Sequence, residues 1–357
     1  MTKDGGFKKV VRQHAQDTGQ RYTEALTDLE GIGGRMHHEP AGARLLAHLH
    51  DCYDIAPVAA ARLSVHKTYV FRIDRKDGDP WVARAFPPAR RRAAVEGDAA
   101  ILRFLERQGY PAERLAAEDA VSDFDGSAVL VTRFIEGGRL PDGAQKFAMM
   151  GDLLGRLHAL PDGESVSRPG GATGEDPTRE GAPRHDLLAA LAFLDAVDTK
   201  VPASERKRFE RLRNEVRSAD DGHGLPEALL HGNLLHAPDH AILSEHGPVA
   251  INWKASGRGP RIADLAYLIW GTGSWNPRRP NQEHIDAAVG TYRRHIQPTN
   301  DELDRLEAVM YIRTLYLTSF GYRRAVANGS PFDEWGFIGP RDYFSATAAA
   351  TRAAFRR

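Results

Sequence analysis

The chain has 357 residues, enough for one large domain or two lobes. Its 48 basic residues balance 48 acidic ones, so no net field draws it to nucleic acid or to an anionic membrane surface. There is one cysteine, Cys52, which excludes an internal disulfide, and no apolar run long enough to span a bilayer. The opening residues lack the apolar core of a secretion signal, so a reducing, cytoplasmic setting with no membrane contact is expected.

Residues 1–19 are polar and mixed in charge. Residues 20–53 carry Leu26, Leu29, Leu45, Leu46 and Leu49 at helical spacing, and the glycine break at 31–34 predicts two helices. Residues 1–56 therefore read as an N-terminal helical extension. From Pro57 the pattern changes. Tyr69, Phe71 and Ile73 alternate with polar residues, Asp77-Gly78-Asp79-Pro80 marks a turn, and 81–86 runs back, which predicts a hairpin. Ala100, Ile101, Phe104 and Leu105 share one helical face that stops at Gly109. A turn near Asp125-Gly126 precedes a strand over 128–134. Residues 57–137 thus read as a small β-rich lobe with one helix.

The remaining segment, 138–357, reads as a larger helical lobe with helices over 147–160, 185–197, 204–219, 283–294 and 300–326. Residues 161–184 are rich in Gly, Pro, Ser and charge and predict a surface loop. Within 229–268 two short apolar runs predict a second hairpin. The fold class expected is α+β and bilobal. The aromatic group Tyr311, Tyr316, Phe320 and Tyr322 is expected in the core of the helical lobe.

Phosphoryl transfer needs few parts. A cation holds the phosphates, a divalent ion with at least one carboxylate ligand bridges them, and a second carboxylate receives or orients the acceptor proton. A basic residue on a strand, an acid on the next helix and two short loops far downstream follow that order here. They are Arg84, Asp98 (with Glu96 as a second candidate), His231-Gly232-Asn233 and Ile251-Asn252-Trp253.

Those residues, with His240, Gly257-Arg258-Gly259-Pro260 and Asp264-Leu265-Ala266, resemble the motifs of the aminoglycoside phosphotransferase and choline kinase-like superfamily, which runs H-G-D, I-D-W, G-x-G-P and D-L-A. The resemblance covers roughly residues 57–324 and implies a protein-kinase-like fold. It implies ATP as cofactor, with Arg84 on the phosphates, Asp98 as partner acid, and the segment from Val131 through Arg133 and Ile135 to Gly137 against the adenine. It places Asn233 at the catalytic-base position, and His240 and Asn252 at the positions that serve the metal. The turn 64–68, which would cover the phosphates, has no glycine.

Two departures decide the chemistry. An amide oxygen at 252 brings no charge to Mg²⁺, and an amide at 233 is not basic. Lys254 offers a cation in the same stretch, able to meet a phosphate directly. His231 is expected to brace the loop backbone, and Asp264 to brace or cap it. His236 and His240 have an i, i+4 spacing that reads as loop, while Asp239 or Glu245 would be alternative acids. Beside a kinase-fold enzyme with rewired chemistry, in which Asp239, Glu245 or an acid from 119–125 replaces a missing ligand, two readings stay open. One is an ATP-dependent O-phosphotransferase of a small molecule, impaired by its two asparagines. The other is a pseudokinase that binds nucleotide, metabolite or peptide as a non-catalytic partner, for instance in ribosomal-peptide maturation, with 1–56 as a docking element for a protein.

Overall fold

A computed structural model of the chain describes residues 40–64, 69–88, 90–161, 184–234, 240–272, 279–329 and 341–357. The expectations placed on 1–39, on 65–68, on nearly all of 161–184 and on His236 and Asp239 lie outside the described residues. The chain divides into two compact units, Met1–Arg92 with Leu115–Phe134, and Ala93–Arg114 with Ile135–Arg357.

The first unit is a five-stranded sheet in the order β1-β2-β3-β5-β4, every described pairing antiparallel. Its strands are β1 (Pro57–Ser64), β2 (Tyr69–Arg75), β3 (Trp81–Ala85), β4 (Val121–Phe124) and β5 (Ser127–Arg133). The expected hairpin is β2–β3, with Ile73 opposite Trp81. Arg75 lies over the Trp81 ring and pairs with Asp77 in the turn. The Asp125-Gly126 turn joins β4 to β5, and both residues have positive φ, 50° and 76°. That is the conformation a two-residue hairpin needs. α1 (Pro40–Tyr53) buries Leu45 and Leu49 and packs on β1 and β4. His48 Nε2 and Ser122 Oγ are 2.9 Å apart, and Arg44 pairs with Asp125 at 3.0 Å.

The second unit is mainly helical. It holds α2 (Arg92–Arg107, from its second residue), α3 (Ala144–His158), α4 (Arg184–Asp195), α5 (Arg206–Arg217), α6 (Arg261–Trp270), α7 (Gln282–Tyr292), α8 (Asn300–Asn328) and α9 (Arg341–Arg356). Two small ladders complete it, β6 (Glu227–Leu230) with β9 (Gly257–Pro260), and β7 (Ala241–Ser244) with β8 (Gly247–Ala250). The β7–β8 pair is the second expected hairpin. α8 starts at a capping box in which the Thr299 hydroxyl accepts from the Glu302 N–H and the Glu302 carboxylate accepts from the Thr299 N–H. Glu302 also receives both arms of Arg261, the first residue of α6, at 2.8 Å each. Of the expected aromatic core group, Tyr311, Tyr316 and Tyr322 are buried and Phe320 is partly buried.

α3 and α7 cross closely because α3 carries Gly151 and Gly155 on the facing side. A Cβ at Gly151 would collide with the Ala288 carbonyl oxygen. The Thr291 hydroxyl, from α7, donates to the Ala148 carbonyl across the same contact at 2.7 Å. The crossing fixes His158 at the end of α3 beside Tyr292. We predict that Gly151→Ala lowers stability by about 1–3 kcal/mol, as overpacking of a close backbone contact does, read as a reduced melting temperature by circular dichroism. An unchanged melting temperature would contradict the close crossing.

Candidate functional site

β6 delivers the chain into His231-Gly232-Asn233, and its partner β9 delivers it into α6, with Leu230 opposite Gly257. The ladder therefore sets the first turn of α6 beside the loop. Asp264, in that turn and buried, accepts the His231 N–H at 2.6 Å with Oδ2 and the Gly232 N–H at 2.9 Å with Oδ1. Two consecutive buried backbone donors are thus satisfied by one carboxylate. Gly232 has φ 76°, and a Cβ there would collide with the Ala255 carbonyl oxygen, so the loop needs glycine on both counts.

His231 links the two motif loops. Its Nε2–H donates to the Ile251 carbonyl at 3.0 Å, and its Nδ1 accepts the Asn233 N–H at 3.3 Å. One neutral tautomer satisfies both bonds. Burial pushes its pKa down, against the opposing pull of Asp264 and Glu113, which agrees with a neutral ring. His240 completes the link. Its Nδ1–H donates to the Asn233 carbonyl at 2.5 Å, and its own carbonyl accepts the Ile251 N–H at 2.9 Å. Both Asn233 backbone groups are thereby engaged. Its side chain is 9% exposed, and Oδ1 is buried with no hydrogen-bond partner among the described residues.

Asn252 follows in a left-handed conformation, φ 68° and ψ 61°, one that Asn tolerates better than most residues. Its N–H donates to Glu113 Oε1 at 2.6 Å. Glu113 is 3% exposed and sits on a segment clasped to β8, with Glu113 N–H to the Ala250 carbonyl at 3.0 Å and Ala250 N–H to the Pro111 carbonyl at 2.9 Å. Trp253 is buried against His231 and Tyr110, with ring centroids 4.7 and 5.8 Å away. Lys254 lies half-buried in the same short 3₁₀ turn, Trp253–Ala255. Behind Asp264, His158 Nε2 lies 3.7 Å from Oδ2, while its Nδ1 is 2.9 Å from the Tyr292 hydroxyl.

The second unit therefore joins Asn233, His240 and Asn252 through hydrogen bonds, with Lys254 in the turn after Asn252. Asp98, on α2 in the same unit, is 1% exposed, whereas the other candidate acid, Glu96, is exposed. Ile135 is half-buried just past the sheet. In the first unit Arg84 lies mid-β3 opposite Leu130 and is buried, and Arg133 ends β5 with its side chain exposed. Glu113, His158 and Tyr292 are site-building residues that carry no motif signal. The two downstream motifs do point to Asp264 and His231, and both brace the loop as their motif positions suggest.

Magnesium does not fit the donors assembled here. The two positions that the resemblance assigns to the metal hold a neutral amide, Asn252, and an imidazole, His240, and a hard divalent ion seeks carboxylate oxygens. Asp264 has both oxygens, and Glu113 one, on backbone N–H groups. Among the described residues no three His, Cys, Asp or Glu side chains gather to hold a metal.

A sequence profile of the phosphotransferase enzyme family matches residues 64–297. The chain belongs to that family. Solved kinases and phosphotransferases share its fold at low sequence identity. An amicoumacin kinase, hAmiN, solved with AMP-PNP, Ca²⁺ and Ami, superposes with TM-score 0.60 at 14% identity, over 86% of this chain and 98% of that one. A microcompartment-associated aminopropanol kinase gives 0.57 at 13%, over 88% and 95%. Spectinomycin phosphotransferase with ADP and its antibiotic gives 0.55 at 12%, over 87% and 98%. No curated protein sequence matches the chain. Among the described residues no helix is long and apolar enough to cross a membrane.

The clamp makes a direct prediction. Asp264→Asn leaves one of two buried backbone donors facing an NH₂ group, at a cost of about 2–3 kcal/mol. Hydrogen exchange at the Gly232 and His231 amides should speed up with the loss. Unchanged protection at both amides would contradict the assignment.

Proposed function

We propose that this protein is a kinase-fold binder of a nucleoside triphosphate and a small polar molecule that transfers phosphate poorly or not at all. The observation that carries this reading is the pair of amides at positions 233 and 252. An amide nitrogen does not accept the acceptor's proton, and the loss of a general base costs about 10²–10⁴-fold in rate. The neutral amide at 252 removes charge that would hold a divalent ion beside the phosphates, and that loss adds to the first.

The nucleotide side of the proposal rests on motif positions taken one by one: by resemblance Arg84 and, separately, Lys254 stand as phosphate cations, Asp98 as a partner acid, and Arg133 and Ile135 in the adenine segment. Lys254 would supply locally the positive charge that a metal supplies elsewhere. The small-molecule side is supported by the relatives that act on amicoumacin, aminopropanol and spectinomycin. Balanced charge and a single cysteine support a cytoplasmic setting.

Thermal-shift measurements test the reading, because a ligand raises the melting temperature only by binding the native state. We expect ATP with EDTA to stabilise the protein as much as ATP with Mg²⁺, with a rise of a few degrees at a ligand excess of about 100 times Kd. Stabilisation that requires Mg²⁺ would favour a working phosphotransferase. No shift in either condition would remove nucleotide from the account.

A further inference from the structure

Glu113 lies at the back of the Asn252 turn and belongs to none of the motifs. Its carboxylate is 3% exposed and accepts the Asn252 N–H at 2.6 Å. Its backbone cannot drift away, because Glu113 N–H and Pro111 carbonyl both bond Ala250, two residues before Asn252. The carboxylate is therefore fixed with respect to position 252 by three hydrogen bonds. Any charge placed on the side chain at 252 must share this neighbourhood.

Covalent geometry bounds how close. A carboxylate oxygen of an aspartate at 252 stays within about 5 Å of its own backbone nitrogen, so it stays within about 8 Å of Glu113 Oε1 in every rotamer. That separation is no longer than the screening length at physiological salt, and Glu113 is shielded from water. Two carboxylates in that arrangement repel each other. An asparagine at 252 removes the repulsion, and the side chain still suits the left-handed backbone.

We infer that Glu113 and position 252 form an either-or charge pair. The buried Glu113 carboxylate anchors the Asn252 backbone, and while it is there it selects against an aspartate at 252. Glu113 is thus a positioning residue for this turn, and restoring an acid at 252 alone would not restore the turn of the I-D-W motif. The reading is independent of whether the protein binds nucleotide or transfers phosphate, since it concerns the ligand-free fold.

A double-mutant cycle without ligand tests it, using the full chain as parent, Asn252→Asp, Glu113→Gln and the two together. The glutamine substitution keeps an oxygen for the Asn252 N–H but carries no charge. Lys254 is common to all four proteins, so its contribution cancels. Asn252→Asp should lower the melting temperature of the parent by roughly 2–4 °C and that of Glu113→Gln by no more than about 1 °C. If Asn252→Asp does not fold, circular dichroism of the double variant decides: a folded double variant supports the pair. Equal losses in the two backgrounds, or a double variant no better folded than Asn252→Asp, would overturn it. Loss of nucleotide binding with the coupling intact would count against the proposed function and leave this inference standing.

Discussion

The loop geometry depends first on the Asp264 carboxylate. Two adjacent buried backbone N–H groups, of His231 and Gly232, both donate to Asp264. Buried donors without acceptors are expensive, so the loop holds its shape only while Asp264 stays in place. Asp264 is set in turn by the first turn of α6. That turn is tied by Arg261 to the buried Glu302 at the start of α8, and α8 is tied at its own start by the same Glu302. His158 and Tyr292 close around the other side through the tight α3–α7 crossing.

This arrangement separates holding the loops from doing chemistry with them. The acids that grip backbone, Asp264 and Glu113, are both present. The positions whose acids would grip a metal and a proton in the family the sequence resembles are Asn233 and Asn252. His231 and His240 likewise serve the frame, since their ring nitrogens reach loop carbonyls and a loop N–H. Among the described residues the two motif positions 233 and 252 hold neutral amides, while the turn around them is fully hydrogen-bonded.

Much of this was legible in the sequence. The β2–β3 hairpin follows from alternation and a Gly-Pro-marked turn, and the long helices follow from apolar spacing. The downstream motifs named Asn233, Asn252, Asp264 and His231 because their spacing is dense and ordered. Other parts were not legible for physical reasons. β1 is alanine-rich, without the β-branched alternation that marks a strand, and owes its form to pairing with β2. β4 hid in what reads as a turn. β6 and β9 are four residues each and find one another across the β7–β8 hairpin, a separation no local pattern encodes. Glu113 lies 139 positions before the residue it anchors, in a stretch with no motif of its own.

On the proposed function, the turn at Asn252 meets a nucleotide without a resident divalent ion. A crystal structure grown with an ATP analogue and excess Mg²⁺ decides the point. The account predicts phosphate oxygens met by cationic side chains such as Lys254, with no metal coordinated by the Asn252 amide. A six-coordinate ion bridging Asn252 Oδ1 and the phosphates would contradict it.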